Sequence, residues 1–309
     1  MPEYTTLQDS YNDIILVMSL NHYCMRNSRV QENYHVHVDS RHDLFTFNLG
    51  ETWKYRDLIL LLTRKNLIVR YKQTVLGPLW LILSPLMTGL MYTIFFGTVA
   101  GIDTEGLPKI LFYLASNGLW AYFSSVFRRS SDTFAANAYL FGKVYFPRLT
   151  VPIANILLSI IEFLVQFLLV AVLAFWYRTR GLNIPFVTWF MIPVILLWLG
   201  VLAMGLGILV SSFTTKYRDL RILVNFAERL WMYGTPVVYP LSLLKNGLLR
   251  KLVLFNPVTA PMELFRKYVL GAGTAPVHSV AGSLVFTVVF MMIGIIMFNR
   301  IERNFMDTI

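Results

Sequence analysis

The sequence predicts an all-α membrane protein: six transmembrane helices, an N-terminal amphipathic interface helix, and two re-entrant half-helices between the fifth and sixth spans. Three observations carry that prediction. Of 309 residues, 56% are hydrophobic and 14% charged, against about 25% charged in ordinary soluble domains. Apolar runs long enough to cross a bilayer recur along the chain, and in the first of them no charge appears from Val75 until Asp103. The net charge of +10 sits mostly in the connections between the runs, where it suits anchoring against anionic headgroups.

Residues 1–50 read as a polar cytoplasmic segment, and residues 51–309 as the membrane domain. Within the first, residues 11–25 form a helix carrying Ile14, Ile15, Val17, Met18 and Leu20, and residues 36–47 alternate like a small strand. His35, His37 and His42 stand near Asp39 and Asp43. Their spacing is not that of tetrahedral metal ligands, so the reading is a solvated loop and no metal is assigned. An apolar core followed by small residues, the mark of a cleavable signal peptide, is not visible there. The single Cys24 excludes an internal disulfide framework.

The interface helix covers about residues 53–74. Trp53, Lys54, Tyr55 and Arg56 are aromatic and basic anchors at headgroup level. Behind them Arg64, Lys65, Arg70 and Lys72 alternate with Leu67, Ile68 and Val69, the pattern of a helix lying in the membrane surface. Leu76-Gly77-Pro78 then breaks the line, because proline removes a donor and restricts the residue before it. Spans follow at about 75–100, 110–127, 149–177, 185–213, 220–240 and 276–298. Lys and Arg are more frequent at the ends facing the amino-terminal side, so both termini are expected in the cytoplasm.

Ionisable residues inside spans are costly and mark function or pairing. Glu162 lies four residues before Gln166 on one helical face, and an interspan or dimer pairing is expected for it. Glu228 and Arg229 point about 100° apart, and no role is assigned to them. Residues 241–254 and 261–270 are apolar, too short to cross, and punctuated by Pro236, Pro240, Pro257 and Pro261. Half-helices that dip in and return, capping a translocation path, fit them best. A pair of amphipathic helices on the outer surface is the alternative. In the connection 128–148, a polar helical stretch at 130–138 would present a docking surface to a cytoplasmic partner, or else serve as a basic loop that enforces topology.

Several classes are disfavoured. Without a soluble basic domain there is no seat for nucleic acid. A membrane transferase would need paired carboxylates or a histidine-centred site, whereas Glu263 is far in sequence from Asp103 and Glu105, and His278 is alone. The two halves lack the matching interruptions of an inverted-repeat transporter. No G-x-x-x-x-G-K-[ST] loop exists in the chain, so ATP must be handled elsewhere.

Five blocks occur in order: residues 69–80 (VRYKQTVLGPLW), 143–148 (KVYFPR), 231–240 (WMYGTPVVYP), 255–257 (FNP) and 263–266 (ELFR). With them residues 44–309 closely resemble the permeases of polysaccharide-exporting ABC transporters, of the ABC type-2 permease family, which serve O-antigen, capsule and teichoic acid export. The resemblance implies a homodimer paired with separate ABC ATPase subunits in the plasma (inner) membrane. ATP and magnesium would sit on that partner, with no cofactor on this chain and no catalysis by it. The cargo would be a lipid-linked polysaccharide of the O-antigen kind, with teichoic acid, capsule, lipid or drug as alternatives.

The resemblance also assigns residues. Arg64, Lys65, Arg70 and Lys72 would form a lipid-pyrophosphate gate, having the charge and donors for it, although anchoring to anionic lipid explains them equally well. Tyr92, Phe95, Phe96, Trp231, Tyr233 and Tyr239 would line the channel as a slide for sugars, the alternative being packing or interface-belt roles. Arg128, Arg129, Phe134, Asn137, Leu140, Lys216 and Arg218 would contact the ATPase.

Overall fold

The computed structural model describes residues 49–306, apart from 73, 144–145, 215–216, 218 and 246. The helix expected at 11–25, the strand at 36–47 and the three histidines lie outside the described residues, as do Lys216 and Arg218. Every regular element among the described residues is helical.

The interface segment is two helices, α1 (Leu49–Lys54) and α2 (Arg56–Tyr71). On α2, Leu58, Ile59, Leu62 and Thr63 recur at helical spacing and are buried, while Leu60, Arg64 and Ile68 stay exposed. The buried stripe rests on α6 (Thr150–Thr179). Gly77, at φ 50°, takes the left-handed conformation that opens the turn, and Pro78 starts the 3₁₀ turn Gly77–Leu79. The first span then runs as α3 (Trp80–Tyr92) and a π-helical stretch, Thr93–Val99. At its end Lys109 Nζ donates to the Gly97 carbonyl at 2.6 Å.

Helix α4 (Lys109–Ser131) is the centre of the bundle. Its most apolar window is 83% buried, against 6% for Gly77–Val99, because α3, α6 and α7 (Ile192–Thr214) all pack on it. The span expected to end near residue 127 continues to Ser131. Arg128 and Arg129 therefore occupy its last turn, where the helix dipole favours cations. Helix α5 (Thr133–Lys143) follows, kinked at Asn137.

The last long helix, α11 (Val277–Met306), packs on α7. Gly205 and Gly294 let the two backbones touch, since a Cβ on Gly294 would lie 2.6 Å from the Gly205 carbonyl oxygen. This is the small-residue contact that membrane helices use. Among the described residues, five helices are long and apolar enough to cross a membrane: Gly77–Val99, Lys109–Ser131, Thr150–Thr179, Phe186–Thr214 and Val277–Phe298.

The segment expected to span 220–240 differs. Helix α8 (Leu220–Tyr233) has 14 residues, about 21 Å at 1.5 Å per residue, short of a hydrocarbon core of about 30 Å. Residues 234–240 are not helical, and Pro236 and Pro240 supply no N–H to extend the ladder. After a 3₁₀ turn, Leu241–Leu243, come α9 (Leu248–Phe255) and α10 (Thr259–Leu270). Helix α10 ends at Gly271 in the left-handed conformation. Helix α9 exposes Leu248, Leu249, Leu252 and Phe255, whereas α10 is buried at nine of its 12 positions between α4, α7 and α11.

Candidate functional site

On α6, Asn155, Ser159 and Glu162 recur at helical spacing and form a polar stripe in an apolar helix. Ser125 and Arg129, four residues apart on α4, face it. Arg129 Nη2 donates to both Glu162 oxygens, at 2.7 and 3.0 Å, and its Nη1 donates to Ser159 Oγ at 3.1 Å. The Ser125 hydroxyl lies 3.3 Å from Glu162 Oε2 and 3.0 Å from Ser159 Oγ. From the last turn of α2, Arg70 Nη1 donates to Glu162 Oε1. One carboxylate thus binds two guanidiniums from two other helices, the interspan pairing expected of Glu162.

The three groups differ in access. The Glu162 and Arg129 side chains are 16% and 20% exposed, but Arg70 is 53% exposed. The Arg129 pair is shielded from solvent, while the Arg70 pair is screened. Tyr71 edges the cluster. Burial pushes its phenol above the ordinary value, Arg70 pulls it back, and Glu162 pushes it up again. Arg64, Lys65 and Lys72 make no ion pair among the described residues, and Arg64 and Lys72 are exposed. The proposed gate therefore divides: Arg70 belongs to the Glu162 cluster, and the other three cations do not.

The six aromatic residues divide too. Tyr92 Oη lies 3.3 Å from Met232 Sδ, and Tyr239 Oη donates to the Tyr233 carbonyl at 3.2 Å. Tyr92, Tyr233 and Tyr239 are thereby gathered where the first span meets the end of α8. Phe95 and Tyr233 are exposed. Phe96 instead packs with Tyr92 and Tyr113, with ring centroids 5.6 and 6.4 Å away. Trp231 stands edge-on to Phe123 and Phe127, at 5.3 and 6.3 Å, and its Nε1 donates to Asn256 Oδ1 at 3.1 Å. Behind Trp231 and Tyr239 opens a largely apolar cavity of about 700 Å³, bounded also by Asn256, Phe286 and Phe290.

Helix α5 is arranged differently from a bare docking surface. Phe134 and Leu140 are buried; Phe134 packs on Phe298 and Phe141, with centroids 4.6 and 6.1 Å apart. These two residues are apolar and fasten α5 to the bundle. Arg129 likewise turns inward to Glu162. Of the residues expected at an ATPase contact, Arg128 is exposed and Asn137 half-buried, its Nδ2 donating to the Thr133 carbonyl at 2.9 Å. Asp132 and Arg221 pair at 2.9 Å and join the start of α5 to the start of α8.

The block ELFR conceals a second charge cluster. Glu263 and Arg266, three residues apart on α10, are 0% exposed and 3.1 Å apart. Arg266 lies 4.7 Å over the Phe112 ring. The Thr274 N–H donates to Glu263 Oε2 at 2.9 Å, and Ser242 donates to the nearby Glu105. The guanidinium finds an ion-pair partner and a ring face, yet none of its nitrogens makes a well-aligned hydrogen bond.

A bundle of five membrane-length helices among the described residues, with the Glu162–Arg129 and Glu263–Arg266 charges paired inside it, is that of a multi-spanning membrane protein. Residues 57–270 match the ABC-2 type transporter family, and the chain belongs to that family. It is similar to an O-antigen export system permease protein RfbA of Klebsiella pneumoniae, 28% identical over 268 residues, covering 84% of this chain and 97% of that protein. A second RfbA from the same organism is 28% identical over 265 residues, with the same coverage. RfbA of Myxococcus xanthus is 27% identical over 220 residues, 70% of this chain and 81% of that one. Membership makes the chain the membrane component of an ABC transporter, which works with an ATPase partner.

Proposed function

We propose that this chain is the channel-forming permease of an ATP-driven exporter that moves a lipid-linked, O-antigen-like polysaccharide across the inner membrane. It works as a homodimer with ATP hydrolysis on separate subunits and with both termini in the cytoplasm. The observation that carries this reading is the near full-length similarity to O-antigen export permeases, which takes in 97% of one relative.

The structure supports the parts unequally. Six crossings require α8 and residues 234–240 to complete the fifth. With only five, Arg300 and Arg303 would fall on the side opposite α2, against the distribution of cations. A re-entrant course for α10 is supported by its burial between three membrane helices, which a helix resting on the outer surface would not have. On the cytoplasmic side Arg70, with Arg64, Lys65 and Lys72 nearby on α2 and just past its end, offers donors for a lipid diphosphate. Tyr92, Phe95, Tyr233 and Tyr239 offer ring faces to passing sugars, while Phe96 and Trp231 pack. Arg128 and the exposed side of α5 meet the ATPase.

The test is genetic and chemical. Deleting the gene should abolish surface polysaccharide while its lipid-linked form accumulates in the cytoplasmic leaflet. Surface polymer at the parental level in the deletion would refute the reading. Accumulation of a different lipid-linked polymer would redirect it to another cargo.

A further inference from the structure

We propose that Glu162 is a resident stand-in for an anionic headgroup, and that it sets selectivity for multiply charged headgroups over singly charged bilayer lipids. The inference rests on the reading of the α2 side as the place where a lipid diphosphate arrives. In the empty protein the Glu162 carboxylate occupies Arg70 and Arg129. An arriving diphosphate displaces it and takes both guanidiniums.

The geometry leads there in four steps. First, two guanidiniums converge on one carboxylate, so the cluster carries one positive charge in excess. Second, the donors are of the right kind. Guanidiniums bind phosphate oxygens through paired N–H groups, and the Ser125 hydroxyl adds a further donor at the same point, while Ser159 accepts from Arg129 and donates to the Asn155 carbonyl. Third, one side can open. Arg70 is 53% exposed and stands in the last turn of α2, whereas Arg129 and Glu162 are held between α4 and α6. Fourth, the two cations would repel each other without an anion between them, so a carboxylate that holds them apart from substrate keeps the site formed.

Selectivity follows from charge. A singly charged lipid phosphate offers no more charge than Glu162 already supplies, and gains nothing by displacing it. A diphosphate brings more charge and more acceptor oxygens, enough to satisfy both arginines and leave Glu162 to Ser125. Arg129 thereby moves from the expected ATPase contact to the headgroup site. It lies in the last turn of α4, four residues before α5 begins at Thr133. Headgroup arrival is therefore felt next to the helix that the ATPase contacts.

The experiment uses the permease–ATPase complex in nanodiscs of neutral lipid. ATP hydrolysis is followed against undecaprenyl diphosphate, phosphatidylglycerol (a singly charged phosphodiester) and inorganic pyrophosphate. Wild type should respond to the diphosphate lipid and weakly to the others; failure of soluble pyrophosphate to stimulate would show that the lipid anchor is needed. Glu162→Gln should lower the half-maximal concentration of phosphatidylglycerol by roughly tenfold, the size expected for removing one charge-assisted contact. Discrimination between phosphatidylglycerol and the diphosphate lipid would shrink accordingly, while Glu162→Asp should keep it. Unchanged discrimination in Glu162→Gln overturns the inference and leaves the headgroup reading intact. A wild-type complex indifferent to the diphosphate lipid removes the headgroup reading itself, and the inference with it. If Glu162→Gln does not assemble, Ser125→Ala withdraws one donor from Glu162 and should shift discrimination in the same direction by a smaller factor; no shift there also overturns the inference.

Discussion

Substituting Arg266 by Met while leaving Glu263 in place should be among the most damaging single changes in the chain. Both side chains are 0% exposed and stand 3.1 Å apart. Removing the cation strands a carboxylate inside the protein, which costs about 3–5 kcal/mol. The methionine fills most of the volume against Phe112, so the loss is mainly electrostatic. At about 2–4 °C per kcal/mol for a chain of this size, the apparent melting temperature in detergent should fall by roughly 10 °C. Adding Glu263→Gln removes the stranded charge and keeps an oxygen for the Thr274 N–H. The double variant should therefore recover more than half of the loss. Fluorescence-detected size exclusion after a heating series measures both. Wild-type stability of the single variant, or a double variant no better than the single, would refute the account of α10 as a helix held by a buried ion pair.

Two further outcomes are expected. Gly205→Ala places a Cβ 2.9 Å from the backbone of Met291, so α7 and α11 must separate, at about 1–3 kcal/mol; the same heating series checks it. Phe134→Ala opens the packing on Phe298 and should cost about 3–5 kcal/mol, whereas Arg128→Glu, on an exposed side chain, should leave stability unchanged and reduce co-purified ATPase. The reverse pattern would mean that α5 is docked through Phe134 after all.

Hydropathy made the long spans legible, because an apolar run of twenty residues has few other uses. It was less informative about α8, where the apolar pattern continues through residues 235–238 although Pro236 and Pro240 stop the helix. The membrane pairing of Glu162 was legible as a cost that had to be met, but its partners were not. Arg129 reads from sequence as a loop cation after a span ending near residue 127. Only the extra turn of α4 brings it beside Glu162. The four-residue spacing of Ser125 and Arg129, and the stripe of Asn155, Ser159 and Glu162, were the available signals. The aromatic residues were harder still, since a ring that slides sugars and a ring that packs are the same residue. Phe95 and Phe96 are neighbours, and the π-helical turn sends one outward and the other onto Tyr113.

Glu228 and Arg229 bear on the proposed homodimer. Glu228 is buried and Arg229 is exposed on α8 beside Phe226, Leu230 and Tyr233. Lipid would suit the three apolar residues, but a guanidinium within a span is costly against hydrocarbon. An aqueous path or a second copy of the chain satisfies both kinds of side chain, and the weakly buried first span beside α8 leaves room for either. Arg229→Leu should therefore insert normally and lower export, since it removes charge from the path and not from the core. Cysteines at Phe226 or Leu230 should cross-link between copies with a short bifunctional reagent. A monomer that resists cross-linking at both positions, together with unchanged export in Arg229→Leu, would place α8 against lipid and remove it from the channel.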